Sequence, residues 1–364
     1  MKISRLILVI VIVILGGLLS GCAGDVGVAT SWPGLRVDGD TVYLASNQHV
    51  YAIDVVNGTE KWRFPTEADG KISFFADPAV TDDQQLLVGG YHNILYSLNP
   101  QNGQENPGAW PFLEAEGRYI AGPLVQDQRI YAPSADNNLF VLDSQGNRQW
   151  IYTTGNPQWA TPATDGQKIY LSSMDHRIHA LDARSGQLIW KSDELGGAIV
   201  GTPALDTEGV LYIGTLANQL LALDTRNGSV IRSYATDGWV WDGPALSEGR
   251  LYFGDLEGSF YALNAADLSE IWKVQPDSAD RNAITETPLV IQDTIYITTE
   301  SGNLYAIDAA NGSTRWPKTV GGKLYSAPVQ AGDSILVAPV GADALLIAFD
   351  TNGNQKWAFT PSGK

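Results

Sequence analysis

The stretch YAIDVVNGTEKW, from Tyr51 to Trp62, returns almost unchanged as YAIDAANGSTRW from Tyr305 to Trp316. Its Asp, or an Asn in the same place, occurs eight times at a mean spacing near 42 residues. The eight positions are Asp54, Asn99, Asp143, Asp182, Asp224, Asn264, Asp308 and Asp350. A second landmark keeps the same spacing, at Pro33, Pro78, Pro123, Pro162, Pro203, Pro244, Pro288 and Pro328. Two landmarks with one period indicate a repeat architecture.

Each repeat consists of four short runs rich in Ile, Val, Leu, Tyr and Thr, separated by turn residues, as β-strands are. Between the third and fourth runs, the Asp can accept hydrogen bonds from backbone N–H groups just after it. The Gly that follows can adopt a positive φ. A period of this length with four strands is typical of a propeller blade. The sequence therefore predicts an all-β fold, an eight-bladed β-propeller of four-stranded antiparallel blades.

A Trp follows the Asp by seven or eight residues in most repeats, at Trp62, Trp150, Trp190, Trp272, Trp316 and Trp357. We expect each indole to lie across its own blade and reach the next one, which is a structural role in blade docking. The fifth repeat has Arg232 in place of the Trp, and the sixth has Leu268 in place of the Gly.

The chain opens with Lys2 and Arg5, followed by an apolar run from Leu6 to Leu19. Cations, a short apolar run and small residues are typical of a secretory signal peptide. A transmembrane anchor is the alternative, but the run is shorter than the roughly 20 apolar residues that a spanning helix needs. We predict a signal peptide at residues 1–21, a short tether at 22–30 and the propeller at 31–364.

The end of the leader, Leu19-Ser20-Gly21-Cys22, resembles the bacterial lipobox, in which the cysteine is lipidated and becomes the mature N-terminus. Cys22 is the only Cys in the chain, so neither an internal disulfide nor a Cys-containing metal cluster can form. The resemblance implies an exported lipoprotein, with Cys22 as the lipid attachment site. Because Ala23 follows, we expect the periplasmic face of the outer membrane in a diderm host, and otherwise the outer face of the cytoplasmic membrane.

The formal net charge of −17 opposes binding to nucleic acid, which normally requires a basic surface. Standard catalytic patterns such as HExxH, CxxC, GxxxxGK[ST] and GxSxG are absent from the sequence. His176 and His179 are three residues apart, which a strand places on opposite faces, so they form a poor chelating pair. The sequence therefore predicts neither an enzyme nor a metal protein.

The pattern A-[IL]-D-x-x-x-G-x-x-x-W, at Ala52–Trp62, Ala180–Trp190 and Ala306–Trp316, resembles the pyrroloquinoline-quinone (PQQ) repeat of quinoprotein-like propellers. The resemblance covers residues 31–364. It implies one of three branches: PQQ-dependent dehydrogenases, the BamB lipoproteins of outer-membrane β-barrel assembly, or exported propellers without known activity. The alcohol dehydrogenases of the first branch carry an adjacent Cys pair beside PQQ and Ca²⁺, and this chain has none.

The segments that lead into the blades carry aromatic residues, and in a propeller these segments share one face with the turns between second and third strands. Aromatic residues and cations mark binding surfaces. We predict a binding rim of Phe74, Tyr119, Trp159, Trp239, Trp241, Tyr325, Arg118 and Lys323. Trp239 and Trp241 share a side of extended backbone, which predicts a pair. The alternative is that these aromatics plug the channel and serve packing.

The leading hypothesis is a non-enzymatic, membrane-anchored propeller that binds a protein partner in the cell envelope, as a monomer within a larger assembly. The resemblance to BamB makes outer-membrane β-barrel assembly the most specific form of this hypothesis, with no cofactor. The alternatives are a PQQ-dependent dehydrogenase, with PQQ and Ca²⁺, and a carbohydrate-binding exported propeller.

Overall fold

The computed structural model describes residues 32–277 and 282–362, so Cys22 and the predicted signal peptide and tether lie outside the described residues. The described residues form strands, turns and loops, and they contain no helix that could cross a membrane.

The strands follow the repeats in chain order. Blade 1 contains β1 (Gly34–Asp38), β2 (Thr41–Ser46), β3 (His49–Asp54) and β4 (Glu60–Phe64), and blade 2 contains β5 (Ala79–Val80), β6 (Leu86–Gly89) and β7 (Leu95–Leu98). Blade 3 contains β8 (Leu124–Gln126), β9 (Arg129–Pro133), β10 (Asn138–Asp143) and β11 (Arg148–Thr153). Blade 4 contains β12 (Ala163–Thr164), β13 (Lys168–Ser173), β14 (Arg177–Asp182) and β15 (Leu188–Lys191).

Blade 5 contains β16 (Ala204–Leu205), β17 (Val210–Thr215), β18 (Gln219–Asp224) and β19 (Val230–Ala235), and blade 6 contains β20 (Ala245–Ser247), β21 (Arg250–Gly254), β22 (Phe260–Asn264) and β23 (Glu270–Val274). Blade 7 contains β24 (Leu289–Ile291), β25 (Thr294–Thr298), β26 (Asn303–Asp308) and β27 (Thr314–Thr319). Blade 8 contains β29 (Val329–Ala331), β30 (Ser334–Val337), β32 (Leu346–Asp350) and β33 (Gln355–Phe359). Two further short strands, β28 (Lys323–Leu324) and β31 (Pro339–Val340), pair with each other beside blade 8.

Every blade is an antiparallel sheet in which the strands pair in chain order, and the eight blades form a ring, which confirms the predicted fold. Blade 2 departs from the others because only three of its strands are continuous. The place of its fourth strand is taken by two isolated bridges, Leu98 with Glu105 and Leu95 with Phe112. Pro107 and Pro111 lie in this segment, and proline lacks the N–H that a strand ladder requires.

The core consists of eight apolar clusters, and each cluster is shared by two neighbouring blades. The cluster that joins blade 8 to blade 1, for example, contains Leu346 and Phe359 from one blade and Leu44 and Tyr51 from the other. A single blade therefore leaves both of its apolar faces uncovered. This is the physical reason why the repeats must close into a ring.

The outer-strand tryptophans cross these boundaries in one direction, from each blade to the next. The indole N–H donates to the carbonyl of the residue after the landmark Asp of the next blade, as Trp190 does to Thr225 (2.8 Å) and Trp357 of blade 8 to Val55 of blade 1 (3.1 Å). The indole N–H of Trp150 is an exception, because it makes no hydrogen bond within the described residues. The equivalent carbonyl, that of Ala183, accepts a hydrogen bond from the Tyr131 hydroxyl instead (2.8 Å).

The turn between the third and fourth strands explains why the repeated stretch contains a Gly after its Asp. At Gly228 φ is +74°, and a Cβ would lie 2.5 Å from the ring of Trp190 in the preceding blade. The same contact joins Gly58 to Trp357 and Gly186 to Trp150. The Gly is therefore required both by the turn and by the neighbouring indole.

Candidate functional site

The segments that lead into the blades converge on a central cavity of about 350 Å³. The residue three positions before each landmark Pro lines this cavity in six blades: Phe75, Ile120, Trp159, Val200, Trp241 and Tyr325. The residue one position earlier is buried between blades: Phe74, Tyr119, Gln158, Ile199, Val240, Ile284 and Leu324. In extended backbone, neighbouring side chains point to opposite sides. One layer therefore faces the channel and the next belongs to the core.

This register separates the residues of the predicted rim. Trp159, Trp241 and Tyr325 lie together around the cavity. Phe74 and Tyr119 are in the core, with 0% and 1% of their surface exposed, because they occupy the buried position of the register. Trp239 is half exposed and lies outside the cavity lining, whereas the ring of Trp241 packs 6.0 Å from that of Trp32. The structure thus separates the two tryptophans that were expected to pair.

The two predicted cations lie beside the mouth of the channel, each next to a tyrosine. Arg118 stacks over the ring of Tyr91 (5.5 Å), and Tyr91 in turn contacts Phe75 of the cavity wall. Lys323 donates to Glu300 (2.7 Å) and to the hydroxyl of Tyr325 (3.0 Å). Both cations are exposed, and neither belongs to the cavity lining itself.

Three carboxylic acids from different blades belong to the same cavity lining: Asp77, Asp242 and Glu286. Asp242 links three lead-in segments. It accepts hydrogen bonds from the backbone N–H of Thr202 (3.0 Å), Gly243 (2.7 Å) and Thr287 (3.1 Å), and from the Thr287 hydroxyl (2.7 Å). Asp77 accepts one from the backbone N–H of Leu35 (2.9 Å). The described residues offer Glu286 no hydrogen-bond donor.

The pKa values of two of these acids are raised. Asp77 is exposed to channel solvent, but the protein around it partly desolvates the carboxyl group and raises its pKa to about 6, with a smaller contribution from Asp242. The N–H of Leu35 and the charge of Arg36 oppose that shift. Burial also raises the pKa of Glu286 well above its usual value, and Asp242 and Asp77 add to the effect. The channel is therefore a site where an uncompensated negative charge is costly.

The residues of the channel do not fit PQQ. That cofactor carries several carboxylic acid groups, and the charged residue types that line the cavity, among the described residues, are the three acids. Among the residues that the structure describes, no Lys, Arg or His belongs to the lining, so a bound anion would lie against these carboxylic acids. Within the described residues, no group of three His, Cys, Asp or Glu side chains is placed to hold a metal ion such as Ca²⁺.

A second surface lies on the outside of the ring. It is formed by the residue that precedes the docking Trp, or that precedes Arg232 in blade 5. In blades 4, 5 and 6 this position is Ile189, Ile231 and Ile271, with 47%, 43% and 40% of the surface exposed. Leu188 and Val230 precede the first two and are also exposed. We call these five residues the apolar edge. They lie on the outermost strands β15, β19 and β23, and one edge of each of these strands is unpaired within its blade.

The same position is a cation on the three blades that follow around the ring. Lys61, Arg315 and Lys356 occupy it, and each forms an ion pair: with Asp40 (2.9 Å), Asp308 (2.7 Å) and Asp333 (2.6 Å), respectively. Blade 7 also has Pro317 within its outer strand. Charge and proline on an outer strand discourage pairing with another chain. The perimeter is therefore protected on blades 7, 8 and 1 and apolar on blades 4, 5 and 6.

Family comparison assigns the whole ring. The family described as outer membrane protein assembly factor BamB matches residues 22–109, 46–190, 174–292 and 281–364, which together cover the chain from residue 22 onward. The chain belongs to this family. The resemblance to PQQ-like repeats and to BamB that the sequence predicted is thereby confirmed.

Individual relatives agree with this assignment. The chain is 25% identical to the outer membrane protein assembly factor BamB of Yersinia pestis over 330 residues, 82% of this chain and 80% of that protein. It is 23% identical to a tetrathionate hydrolase of Acidithiobacillus ferrooxidans, over 72% of this chain and 54% of the hydrolase. The crystal structure of BamB from Moraxella catarrhalis shares the fold, with a TM-score of 0.71, 18% identity and coverage of 84% and 92%.

The sequence did not reveal the acids Asp77, Asp242 and Glu286, nor Trp32, and of the lead-in pair Phe74-Phe75 the rim prediction named Phe74 instead of Phe75. The signal was present in the spacing to the landmark Pro, because every cavity residue of the lead-in segments lies one to three positions before it. The apolar edge was also missed. The sequence shows this edge when the repeats are aligned on the docking Trp and the residues that precede it are compared between repeats.

Proposed function

We propose that the chain is a non-enzymatic propeller, attached to the outer membrane through lipid on Cys22, that binds unfolded outer-membrane proteins during their assembly. Family membership supports the setting, since the family is that of the outer membrane protein assembly factor BamB. The observation that carries the binding role is the apolar edge on three consecutive blades. In this proposal the chain acts as a monomer within a larger assembly.

The chemistry of the apolar edge suits an extended polypeptide. An outer strand exposes unpaired N–H and C=O groups along one side, and a partner strand can add to that side by backbone hydrogen bonds. The strands of outer-membrane barrels alternate apolar and polar residues. The apolar side chains of such a strand would cover Ile189, Ile231 or Ile271, and the backbone groups would complete the sheet. Three equivalent edges in sequence around the ring offer several such positions to one long chain.

The two alternative functions are less well supported. A PQQ-dependent dehydrogenase conflicts with the acidic channel and with the lack of a Cys pair. A carbohydrate-binding propeller draws on the aromatic mouth, which would stack on sugar rings, but that feature leaves the apolar edge unexplained. A neutral oligosaccharide that bound at the mouth would favour this alternative.

The binding role is tested by changing the edge and measuring capture of an unfolded β-barrel protein. The variant Ile189→Lys/Ile231→Lys/Ile271→Lys introduces on blades 4 to 6 the residue type found on the protected blades. Each change is at an exposed site, so we expect a stability change of about 0.5 kcal/mol or less per site. Affinity for a urea-diluted outer-membrane protein, measured by biolayer interferometry, should fall about tenfold or more.

The matched control changes the same position on the protected blades, Lys61→Gln/Arg315→Gln/Lys356→Gln, and should leave capture nearly unchanged. A photo-crosslinking residue at position 231 should label the captured chain, and one at position 315 should not. Equal loss of capture in both triple variants, or none in the first, would contradict the proposal. Mass spectrometry of the mature N-terminus tests lipidation, and Cys22→Ser should release the protein from membranes.

A further inference from the structure

We propose that the central channel binds an organic cation, the ammonium group of a lysine side chain or of a free diamine, with its apolar stem held among the aromatic residues of the mouth. This inference concerns a different surface from the apolar edge and does not depend on the proposed function.

The first support is the distribution of charge. Asp77, Asp242 and Glu286 line the channel from blades 2, 6 and 7, and within residues 32–277 and 282–362 no cationic side chain belongs to the lining. Asp242 and Glu286 are partly buried, and charges removed from water are normally paired in proteins. Asp242 is satisfied by four hydrogen bonds, but Glu286 has no partner among the described residues. A cation entering the channel would supply what these residues lack.

The second support is the set of aromatic residues in the same cavity lining as the acids. These residues are Trp32, Phe75, Trp159, Trp241 and Tyr325. The faces of aromatic rings attract ammonium groups, and Trp is the strongest of them. Aromatic rings and carboxylic acids that line one cavity match a ligand that has a cationic head and an apolar stem.

Size and geometry select the kind of cation. A volume of about 350 Å³ lies at the lower end of the range for small-molecule sites, so it suits a single amine-bearing chain. The acids are not grouped closely enough to chelate a metal ion within the described residues. A bare metal ion would also gain little from the aromatic residues. The combination therefore fits an alkylammonium group better than Ca²⁺ or an anionic cofactor.

Binding should depend on pH because the acids must be ionised to attract the ligand. The groups that face one another are Asp77, Asp242 and Glu286, with Arg36 close enough to act on Asp77. The pKa of Asp77 is raised to about 6, and burial raises the pKa of Glu286 above its usual value. Affinity for an amine that stays protonated throughout should therefore rise between about pH 5 and pH 8.

The test uses isothermal titration calorimetry on the folded propeller with two probes, Nα-acetyl-lysine methylamide and cadaverine. The neutral isostere Nα-acetyl-norleucine methylamide measures the contribution of the charge. We expect millimolar or tighter binding of at least one amine, and no measurable binding of the isostere. Stronger binding of the lysine derivative would indicate a peptide ligand, and stronger binding of cadaverine a free amine. Both results support the proposal.

Matched variants locate the site. Glu286→Gln and Asp77→Asn keep the shape of the side chains and remove their charge, and each should weaken binding about tenfold. Asp333→Asn makes the same change of charge on the outside of blade 8 and should have no effect. Trp241→Leu should weaken binding, whereas Trp239→Leu, in the same segment but outside the cavity lining, should not. Circular dichroism confirms folding of each variant.

Three outcomes would overturn the proposal. The first is that neither amine binds at about 10 mM, or that the norleucine isostere binds as well as the lysine derivative. The second is that Glu286→Gln and Asp77→Asn bind as the unmodified protein does. The third is that PQQ binds in the channel more tightly than the amines, which would show that the acids do not determine the preference of the cavity.

Discussion

The boundary between blades 4 and 5 differs from the boundary between blades 5 and 6. At the first, Trp190 lies against Gly228 and donates to the carbonyl of Thr225. At the second, Arg232 replaces the Trp and is exposed, while Leu268 replaces the Gly. Leu268 has a positive φ of +59° and is buried in the shared cluster. The hydroxyl of Tyr212 donates to Ala265, the carbonyl that an indole would otherwise bind (3.0 Å).

The two irregularities of the repeat are therefore one structural change. The missing Trp of the fifth repeat and the missing Gly of the sixth meet at a single boundary, because each indole packs on the Gly of the following blade. Once the indole is gone, the Gly is no longer required by packing, and a leucine fills part of the space. A groove of about 630 Å³ lies beside Tyr212 and Arg232 at this boundary. The ring tolerates the change because the pair was replaced together.

The largest effect on stability is expected when the Leu of one boundary is combined with the Trp of the other. Gly228→Leu places a side chain where a Cβ alone would lie 2.5 Å from the Trp190 ring, so we expect a loss of more than about 4 kcal/mol in the free energy of unfolding. Adding Trp190→Arg recreates the boundary of blades 5 and 6. Urea denaturation of both single variants and the double should show a coupling of about 1–3 kcal/mol that favours the double. Additive losses would refute the complementarity.

Removal of one indole should cost less than the steric conflict. Trp190→Ala deletes a nearly buried ring and its hydrogen bond to Thr225, so we expect a loss of about 3–5 kcal/mol. Arg232→Ala, at the equivalent position of the next blade, should cost about 0.5 kcal/mol. The same denaturation measurement compares the two. Similar losses would mean that Arg232 has taken over the docking role.

A third prediction concerns the inner end of the exceptional boundary. Asp242 accepts a hydrogen bond from Thr202 of the segment leading into blade 5, and two from Thr287 of the segment leading into blade 7. Asp242→Ala leaves these donors without their acceptor, so we expect a loss of about 2–3 kcal/mol. Hydrogen exchange should increase in blades 5 to 7 first. Asp333→Ala, on the outside of the ring, serves as the control and should cost less than about 1 kcal/mol.

The smallest effect is expected at the boundary of blades 1 and 2, where Asp77 plays the corresponding part. The pKa of Asp77 is raised in the folded protein to about 6, above the value in the unfolded chain, so folding binds the proton more tightly. The stabilisation linked to that proton is lost as pH rises from about 4 through about 6. Asp77→Asn keeps an acceptor for the Leu35 N–H and removes the titrating group, so the variant does not lose this stability as pH rises. The melting temperature of the variant relative to the unmodified protein should rise by roughly 2 °C between pH 4.5 and 7.5. A difference that does not change with pH would show that Asp77 stays ionised throughout.

The candidate sites were harder to predict than the fold, and the lead-in segments show why. Phe74 and Phe75 are adjacent and chemically alike, yet one is in the core and the other lines the channel. A shift of one residue in extended backbone moves a side chain to the opposite side, and composition does not reveal which side is which. The rim prediction therefore included Trp159, Trp241 and Tyr325 together with Phe74 and Tyr119. The register to the landmark Pro would have separated them.

The sequence by itself determined the number of blades, the order of strands within each and the positions of the docking indoles, because these depend on turns and alternation within about 42 residues. Only the tertiary structure brought Asp77, Asp242 and Glu286 together, and only the ring placed Ile189, Ile231 and Ile271 on one continuous arc. Those residues lie in separate repeats. Their proximity is produced by closure of the ring, in which segments far apart in the chain meet at one axis and equivalent positions become neighbours on the perimeter.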